Sequence, residues 1–570
     1  MVKKSLVFLM LFSMTTAFAE GEAPKLRLNN YVVEFNEDQN VTVLDGVYYM
    51  PVRRVAELCH FGIDWTDGFA VISKDSGEYK ISDDSDTVYI NGEPEKLFNK
   101  THIINDRMLI SEADAKNIFG LYDDLDGHDG EKALHQIFKF DDAGFYDLNM
   151  TFTGDPKTQR GFAWEAELDY DDMILQYKAA GEDDDKLIDV TPSCEKVAVA
   201  WANNITHDEV PLSVYDAGNY NAEYSYATMY DYRLFYKAEL KGLMPGTSYE
   251  YRIGSRSNND FSEFYEFTTE PETVKTFSII GVTDPQGRTA NTYKYYTSTL
   301  SKAFEECPDP AFVINAGDFT DNAYYDDWWR YFFESSRGTC EETPLITAIG
   351  NHEQRGEGAK YYNYHFNNPQ NGKGLADGFV PDESVDKTTL ANIDNLDNTV
   401  YSFDYGNAHF TVINSGSDFG DSTALLNLQK EWLRNDLANT DKKWKVLVTH
   451  RGIYVEKLRS HANDPKNAFL DIIDEYGVDL VIEGHDHTYM RTHVMKNDKV
   501  SETGTIYALI GSAAQKRYAA EDIHEWVEVV KPLPDELPNY VVITFDDDKI
   551  VYTAKLIDGT EIDAFEVVKN

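Results

Sequence analysis

Hydrophobic and polar positions follow three successive rhythms along the chain. From about Leu26 to Asp123 short β-type runs lead into helix-like stretches. Tyr49-Met50-Pro51-Val52 runs on to Phe61-Gly62, and Met108-Leu109-Ile110-Ser111 runs on to Phe119-Gly120. This weak internal repeat predicts two strand-plus-helix units, each helix closed by a glycine just past its end. The Gly- and Asp-rich stretch Asp123 to Glu131 reads as a solvated linker, since its spacing does not fit an EF-hand loop. "GEDDDK" at Gly181 to Lys186 reads as a charged loop. From about Asn149 to Thr269, runs rich in Val, Tyr, Thr and Phe, such as Lys196 to Trp201 and Tyr249 to Ile253, are separated by turns and predict an antiparallel β-sandwich. Beyond Thr273 apolar strands alternate with helical stretches. Phe469, Ile472, Ile473 and Tyr476 keep the i, i+3, i+4, i+7 spacing of one buried helix face, stopped by Gly477. The run Val400 to Ser415 within this α/β part reads as a hairpin, so its sheet is expected to be mixed.

Length and charge narrow the function classes. A chain of 570 residues suggests about three to five domains. Its 52 basic and 99 acidic side chains give 52 − 99 = −47, a surface that repels nucleic-acid backbones and anionic membranes as bulk partners. Phosphate chemistry on this chain must therefore draw on local positive charge. Lys3 and Lys4, the apolar run Leu6 to Phe12 and the small-residue site Ala17-Phe18-Ala19 predict an export signal over residues 1–19 and a secreted or extracytoplasmic destination, periplasmic or cell-surface associated. No segment offers the about 20 apolar residues of a spanning helix, and neither a lipobox cysteine nor a hydrophobic tail is expected to anchor the chain. Of the four cysteines, Cys59, Cys194, Cys307 and Cys340, the last two each precede a short apolar run, Ala311 to Ala316 and Leu345 to Ile349. If those runs are neighbouring parallel strands both thiols lie at one sheet edge, which predicts a disulfide in an oxidising compartment.

Five apolar runs of the α/β part each stop at a polar residue of metal-binding type: Asp284, Asp318, Asn351, His450, and the pair His485 and His487. In open α/β sheets functional groups gather beyond the carboxyl ends of the strands, so five such ends predict one site. Oxygen donors from Asp and Asn with neutral imidazoles suit first-row divalent or trivalent metals, and the lack of thiolates disfavours a structural zinc centre.

The strings carrying these residues, Asp284, "GDFTD" (317–321), "GNHE" (350–353), "VTHRGIY" (448–454) and "GHDHTYMR" (484–491), resemble the calcineurin-like metallophosphoesterases, and within them the purple acid phosphatases. "LKGLMPGTSYEYRIG" (240–254) is similar to the fibronectin type III signature, in which the Tyr249 hydroxyl caps backbone at a tyrosine corner. With "MTFTGDPKTQRGFAWEAE" upstream, the segment resembles the amino-terminal domain of purple acid phosphatases. "YYMPVRRVAELCHFGIDW" resembles the stalk-like amino-terminal domain of copper amine oxidases; no copper is implied, since no ligand cluster accompanies it and His60 reads as structural. The resemblance thus implies a signal (1–19), a small α+β stalk-like domain (24–125), a fibronectin III-like sandwich (145–272) and a catalytic domain (274–570). The last would be a four-layer αββα sandwich of two mixed sheets, finished by "YVVITF" and "IVYTAKL".

Carried over by residue, the resemblance implies Asp284 and His487 on one metal, Asn351, His450 and His485 on a second, and Asp318 bridging both. His352 would donate a proton to the leaving oxygen or hydrogen-bond the phosphate. Two metal ions, iron, zinc or manganese, would activate a bridging hydroxide for attack on phosphorus. Two departures stand out. Purple enzymes carry a tyrosine three residues after the bridging aspartate, where this chain has Asp321, so it is not expected to be purple. Other metallophosphoesterases have a histidine two residues after the first aspartate, where this chain has Gln286. Gln286 and Asp321 are therefore doubtful ligands.

The aromatic cluster Trp328, Trp329, Tyr331, Phe332 and Phe333 reads as core packing, with a substrate platform as its alternative. Residues Gln354 to Asn398 read as a long loop shaping the leaving-group pocket. His365 and His409 read as structural. The expected function is a secreted phosphatase acting on phosphate monoesters, with possible cell-wall or surface contact through the stalk. A phosphodiesterase or nucleotidase on the same site is one alternative; a cell-surface binding protein with an inactive phosphatase scaffold is the other.

Overall fold

The computed structural model describes residues 25–569 apart from short stretches, the longest being 33–40, 124–133, 139–143, 203–227, 456–463 and 519–523. The export signal, Cys59, His60 and all but the first residue of the Asp123–Glu131 linker lie outside the described residues. The chain divides into two compact units, one ending at Lys139 and the other beginning at Phe140.

In the first unit the two repeats become a matched pair. The strands Val47–Pro51 and Arg107–Ser111 run antiparallel with Met50 opposite Ile110, and each feeds directly into a helix, Val52–Leu58 and Glu112–Phe119. Met50, Val55, Ile110, Ala115 and Phe119 bury their apolar faces together. Gly62 opens a strand, Gly62–Thr66, rather than closing the first helix. That strand starts an antiparallel meander of five strands running to Lys96, whose Ala70, Ile72 and Ile81 complete the same core.

The second unit opens with two facing antiparallel sheets. One holds Phe145–Thr151, Gln159–Ala166, Thr228–Lys241 and Ser193–Ala202; the other is centred on Met173–Ala179 and Ser248–Ser255. Phe162, Trp164, Leu175, Tyr251 and Ile253 fill the space between them. The Met244 amide donates to the Tyr249 hydroxyl at 2.9 Å, which fixes the turn before Ser248–Ser255.

The α/β part follows without a break in packing. Phe277–Val282, Val313–Asn315 and Leu345–Thr347 are parallel neighbours, extended on the other side by antiparallel Asn539–Phe545, Lys549–Leu556 and Glu561–Val568. A second, seven-stranded mixed sheet contains the hairpin Tyr401–Tyr405/Ala408–Val412 beside parallel Trp444–Val448 and Leu480–Glu483. Because strand side chains alternate faces, Ile279, Ile314, Val446, Ile482 and Val541 meet in a core shared by both sheets. Their neighbours Ile280, Val282 and Val313 pack instead on Tyr296 and Leu300 of the helix Ala290–Glu306 and Phe332 of Asp326–Ser335. Leu447, Val481 and Leu509 do the same against Leu433 of Thr423–Asn439 and Phe469 and Ile472 of Asp464–Tyr476.

Two expectations are corrected here. The stretch 354–398 is not a structureless loop, since it contains the helices Gly358–His365 and Lys387–Asp394. Cys307 and Cys340 lie in the same buried cluster but are free thiols. Cys340 Sγ is instead turned to Ser336 Oγ at 3.2 Å. Trp329, Phe332 and Phe333 are core, while Trp328 packs on Tyr325.

Candidate metal centre

The five strand ends named by the sequence do converge. His450 Nε2 lies 3.0 Å from Asn351 Oδ1 and 3.2 Å from Asp318 Oδ2. His485 Nδ1 lies 2.8 Å from the same Asn351 oxygen. His487 Nε2 lies 3.3 Å from Asp284 Oδ1, a buried oxygen with no hydrogen-bond donor. Two sets of potential ligand atoms, Asp318 with His450 and His485, and Asp284 with Asp318 and His487, are each gathered within 4.8 Å. Asp318 belongs to both.

The loops reach this geometry by accepting strain. Asp284, Asp318, His485 and His487 all have positive φ, between 48° and 78°, a region few non-glycine residues enter. Gly350 has no room for a side chain, since a Cβ there would sit 2.2 Å from Asp318 Oδ1. The neighbouring carboxylate of Glu353 ties the loops together: Oε2 accepts from the amides of Asp318 (2.9 Å) and Gly350 (3.0 Å), and Oε1 from those of Phe319 (2.9 Å) and Thr320 (3.2 Å). The sequence reading missed this role, although Glu353 closes one of its motif strings.

Two of the three imidazoles are held by their other nitrogen. His450 Nδ1 faces the Ala316 carbonyl at 2.8 Å and His487 Nδ1 that of Lys516 at 3.1 Å. A backbone carbonyl fixes the N–H there and leaves Nε2 as a lone pair, the form that ligates a metal. Electrostatics point the same way. Burial pushes the Asp284 carboxyl up to about 7. Burial would raise Asp318 too, but His352 and His450 hold it well below the carboxylate range. Burial lowers His450, yet Asp318 and Asp284 outweigh that and push it up to about 10. A proton on His450 thus takes the place that a cation between the carboxylates would fill. With the donorless Asp284 oxygen, the O and N donor set fits a pair of first-row metal ions.

His352 is buried beside this cluster. Its Nδ1 faces the Asp321 carbonyl at 2.6 Å and its Nε2 the Arg355 Nη2 at 3.0 Å. Burial and Arg355 push its pKa down to about 3, so the ring is neutral. Gln286 donates from Nε2 to Asp321 Oδ1 (2.6 Å) and accepts at Oε1 from Lys516 Nζ (3.0 Å). Asp321 Oδ2 accepts from Arg288 Nε at 2.7 Å, and Arg288, His352 and Arg355 hold its carboxyl well below the usual range despite burial. Gln286 and Asp321 therefore link three basic side chains, Arg288, Arg355 and Lys516, to the rim of the site. No motif drew attention to these cations. Of the remaining histidines, His409 bridges Asp404 (2.8 Å) and Asp436 (3.0 Å), and His365 is enclosed by Trp329, Phe235 and Phe333.

Comparison with known proteins bears on this geometry. Residues 277–489 match the family model described as calcineurin-like phosphoesterase, residues 146–269 that of the purple acid phosphatase N-terminal domain, and residues 27–131 that of the copper amine oxidase N-terminal domain. Purple acid phosphatase 15 of Arabidopsis thaliana is 25% identical over 320 residues, 50% of this chain and 55% of that protein. Probable inactive purple acid phosphatase 1 of the same plant is 24% identical over 308 residues, 48% of each. The chain thus spans about half the length of these curated relatives. The solved purple acid phosphatase PPD1 from yellow lupin (Lupinus luteus) seeds shares the fold, with a TM-score of 0.55 at 17% identity over 76% of this chain and 77% of that one.

Proposed function

We propose, for a chain whose homologues are purple acid phosphatases, a secreted dinuclear-metal phosphatase that hydrolyses phosphate monoesters. The observation that carries this reading is the membership of Asp318 in both ligand groups. Asp284 and His487 would hold one metal, Asn351, His450 and His485 the other, with Asp318 shared between them. Two such ions supply Lewis acidity, lowering the pKa of a water and screening the charge that develops on phosphoryl oxygens. The protein's own groups do the rest. The carbonyls of Ala316 and Lys516 hold His450 and His487 in the ligating tautomer. Arg288, Arg355 and Lys516 provide the local positive charge that an acidic chain needs to attract a phosphate dianion. Nδ1 of His352 is tied to the Asp321 carbonyl, and Nε2 lies 3.7 Å from Asp318 Oδ2; the ring, neutral in the empty site, must take up a proton at Nε2, as the charge of a bound phosphate dianion favours, before it can hydrogen-bond the phosphate or pass that proton to the leaving oxygen.

We read the two mixed sheets and their flanking helices as the αββα sandwich and residues 145–272 as a fibronectin III-like module. The stalk-like segment 24–125 serves as a spacer with capacity for surface contact, behind a signal cleaved near residue 19. With Asp321 in place of a tyrosine, the iron-loaded protein is expected to lack the visible charge-transfer band of a ferric phenolate.

The test is hydrolysis of p-nitrophenyl phosphate and bis-p-nitrophenyl phosphate by the protein loaded in turn with iron, zinc and manganese. Monoester turnover that disappears in Asp318→Asn and falls roughly 100- to 10,000-fold in His352→Ala supports the proposal. Diester preference would reassign the site to a phosphodiesterase. Turnover of neither ester above Asp318→Asn would leave the inactive-scaffold reading.

A further inference from the structure

A third gathering of ligand-type side chains lies away from the catalytic cluster, where the sandwich meets the α/β part. Asp147, Glu165 and His365 are all buried, and their ligand atoms lie within 4.8 Å of one another. Asp147 and Glu165 come from adjacent sandwich strands, and His365 ends the helix Gly358–His365. The ladder between the two strands slips between Tyr146 and Asn149, and Asp147 there has a φ of 60°. A bulge of this kind re-aims a side chain.

Burial without partners makes the cluster unusual. Both carboxylate oxygens of Glu165, Oδ2 of Asp147 and Nε2 of His365 are buried with no hydrogen-bond partner. Asp326, the first residue of the helix Asp326–Ser335, is an independent sign. It is 2% exposed, both its carboxylate oxygens also lack a donor, and its charge acts on both Asp147 and Glu165. Buried acceptors are almost always satisfied, and a buried carboxylate is paired or bound to metal. The cations facing the cluster only partly answer it. Arg233 Nε stands 3.5 Å from Glu165 Oε1 while sharing itself with Glu167, and Arg330, over the Tyr146 ring, is the foremost positive charge acting on Asp147 and Asp326, yet Asp147 Oδ2 and both carboxylate oxygens of Glu165 and Asp326 still lack a hydrogen bond.

We propose that Asp147, Glu165 and His365, with the buried Asp326 beside them, form a structural divalent-cation site, of the zinc class, that pins the sandwich to the α/β part. One imidazole with carboxylates suits zinc better than calcium, which takes oxygen ligands throughout. Burial of all its ligand residues makes the site structural rather than catalytic. Ligands about 2.1 Å from zinc stand about 3.4 Å apart in a tetrahedron, so binding draws these side chains together. The competing arrangement is one proton shared between Glu165 and Asp326.

The experiment compares zinc per chain, after gel filtration, for the full-length protein, His365→Gln and Glu165→Gln, with thermal midpoints before and after chelator. The wild type should hold one zinc equivalent more than either variant. Chelator should lower its midpoint by more than theirs, and monoester turnover should be unchanged in His365→Gln. The one-equivalent difference stands whatever number of ions the Asp318 cluster holds, so the two readings fail separately. If both variants fail to fold, the stripped wild type retitrated with zinc decides: an equivalent bound beyond those lost in Asp318→Asn supports the site. Equal zinc in wild type and His365→Gln, or no such extra equivalent, would overturn it and leave the shared proton.

Discussion

Four of the gathered side chains sit on left-handed backbone, at about 1 to 3 kcal/mol each, so something must hold those loops in place. Glu353 is the strongest brace available, accepting four amides with one carboxylate. Glu353→Gln keeps the size but offers one acceptor oxygen and turns an amide toward N–H groups. Its expected effect is metal binding weakened about 10- to 100-fold with the fold retained, read by metal titration alongside melting. His409 supports a second prediction of this kind. Burial alone would lower its pKa, but bonds to Asp404 and Asp436 lift it to about 9, and Lys442 stands 3.8 Å from Asp404. A folded pKa above an unfolded value of about 6.5 contributes stability fully present below pH 6.5 and lost as pH rises through 9. The loss amounts to at most about 3 kcal/mol. Thermal midpoints from pH 6 to 10 should fall in the wild type by more than in His409→Gln. The six main metal-ligand candidates were legible because each ends an apolar run. Arg288, Arg355 and Lys516 were not, because they come from separate stretches and only the fold puts them on one rim.

Elements were legible where burial is one-sided and regular. The helix Asp464–Tyr476 buries Phe469, Ile472 and Ile473 as its spacing requires, and Gly477 follows with a φ of 62°. The stretch 354–398 was misread because its asparagines suggest turns, whereas here they cross-brace. Asn368 Nδ2 donates to Thr347 Oγ1 at 2.9 Å, Asn371 Nδ2 to the Ser402 carbonyl at 2.9 Å, and Asn367 Nδ2 to Ala238 of the sandwich at 2.9 Å. Asn398 is the hub: its Oδ1 accepts from the Asn368 amide (2.9 Å) and Gln370 (3.0 Å), and its Nδ2 donates to the Phe366 carbonyl (3.0 Å). Asn398→Ala leaves two buried backbone groups, the Asn368 N–H and the Phe366 C=O, unpaired at a residue with a φ of 69°, so a loss of about 2 to 4 kcal/mol is expected in denaturant unfolding. Near-native stability would mean that the bracing is incidental.

The first unit and the sandwich differ in how much each depends on its surroundings. The first closes its own core, with Val55, Ile72, Ile110 and Phe119 packed together, and its Leu134–Phe138 strand returns to pair with Lys25–Leu28. The sandwich is not separable in this way. Phe152 follows one of its strands yet is fully buried in the core between the two mixed sheets, against Phe312 at 5.7 Å and Phe403 at 5.1 Å. The Met150 amide donates to the Cys340 carbonyl and Tyr251 Oη to that of Glu341, at 2.8 and 2.6 Å. On the proposed phosphatase reading, a chain beginning at residue 140 should keep the monoester turnover of the whole chain and melt as one unit. A chain beginning at 274 removes an aromatic whose deletion alone costs about 3 to 5 kcal/mol. It also exposes the faces of Gly358–His365 and Asp326–Ser335 that the sandwich covers, so it should aggregate or melt far lower. The comparison is made by calorimetry and p-nitrophenyl phosphate turnover on both truncations. A stable, active chain from 274 would show that the sandwich is an attachment and not part of the catalytic fold.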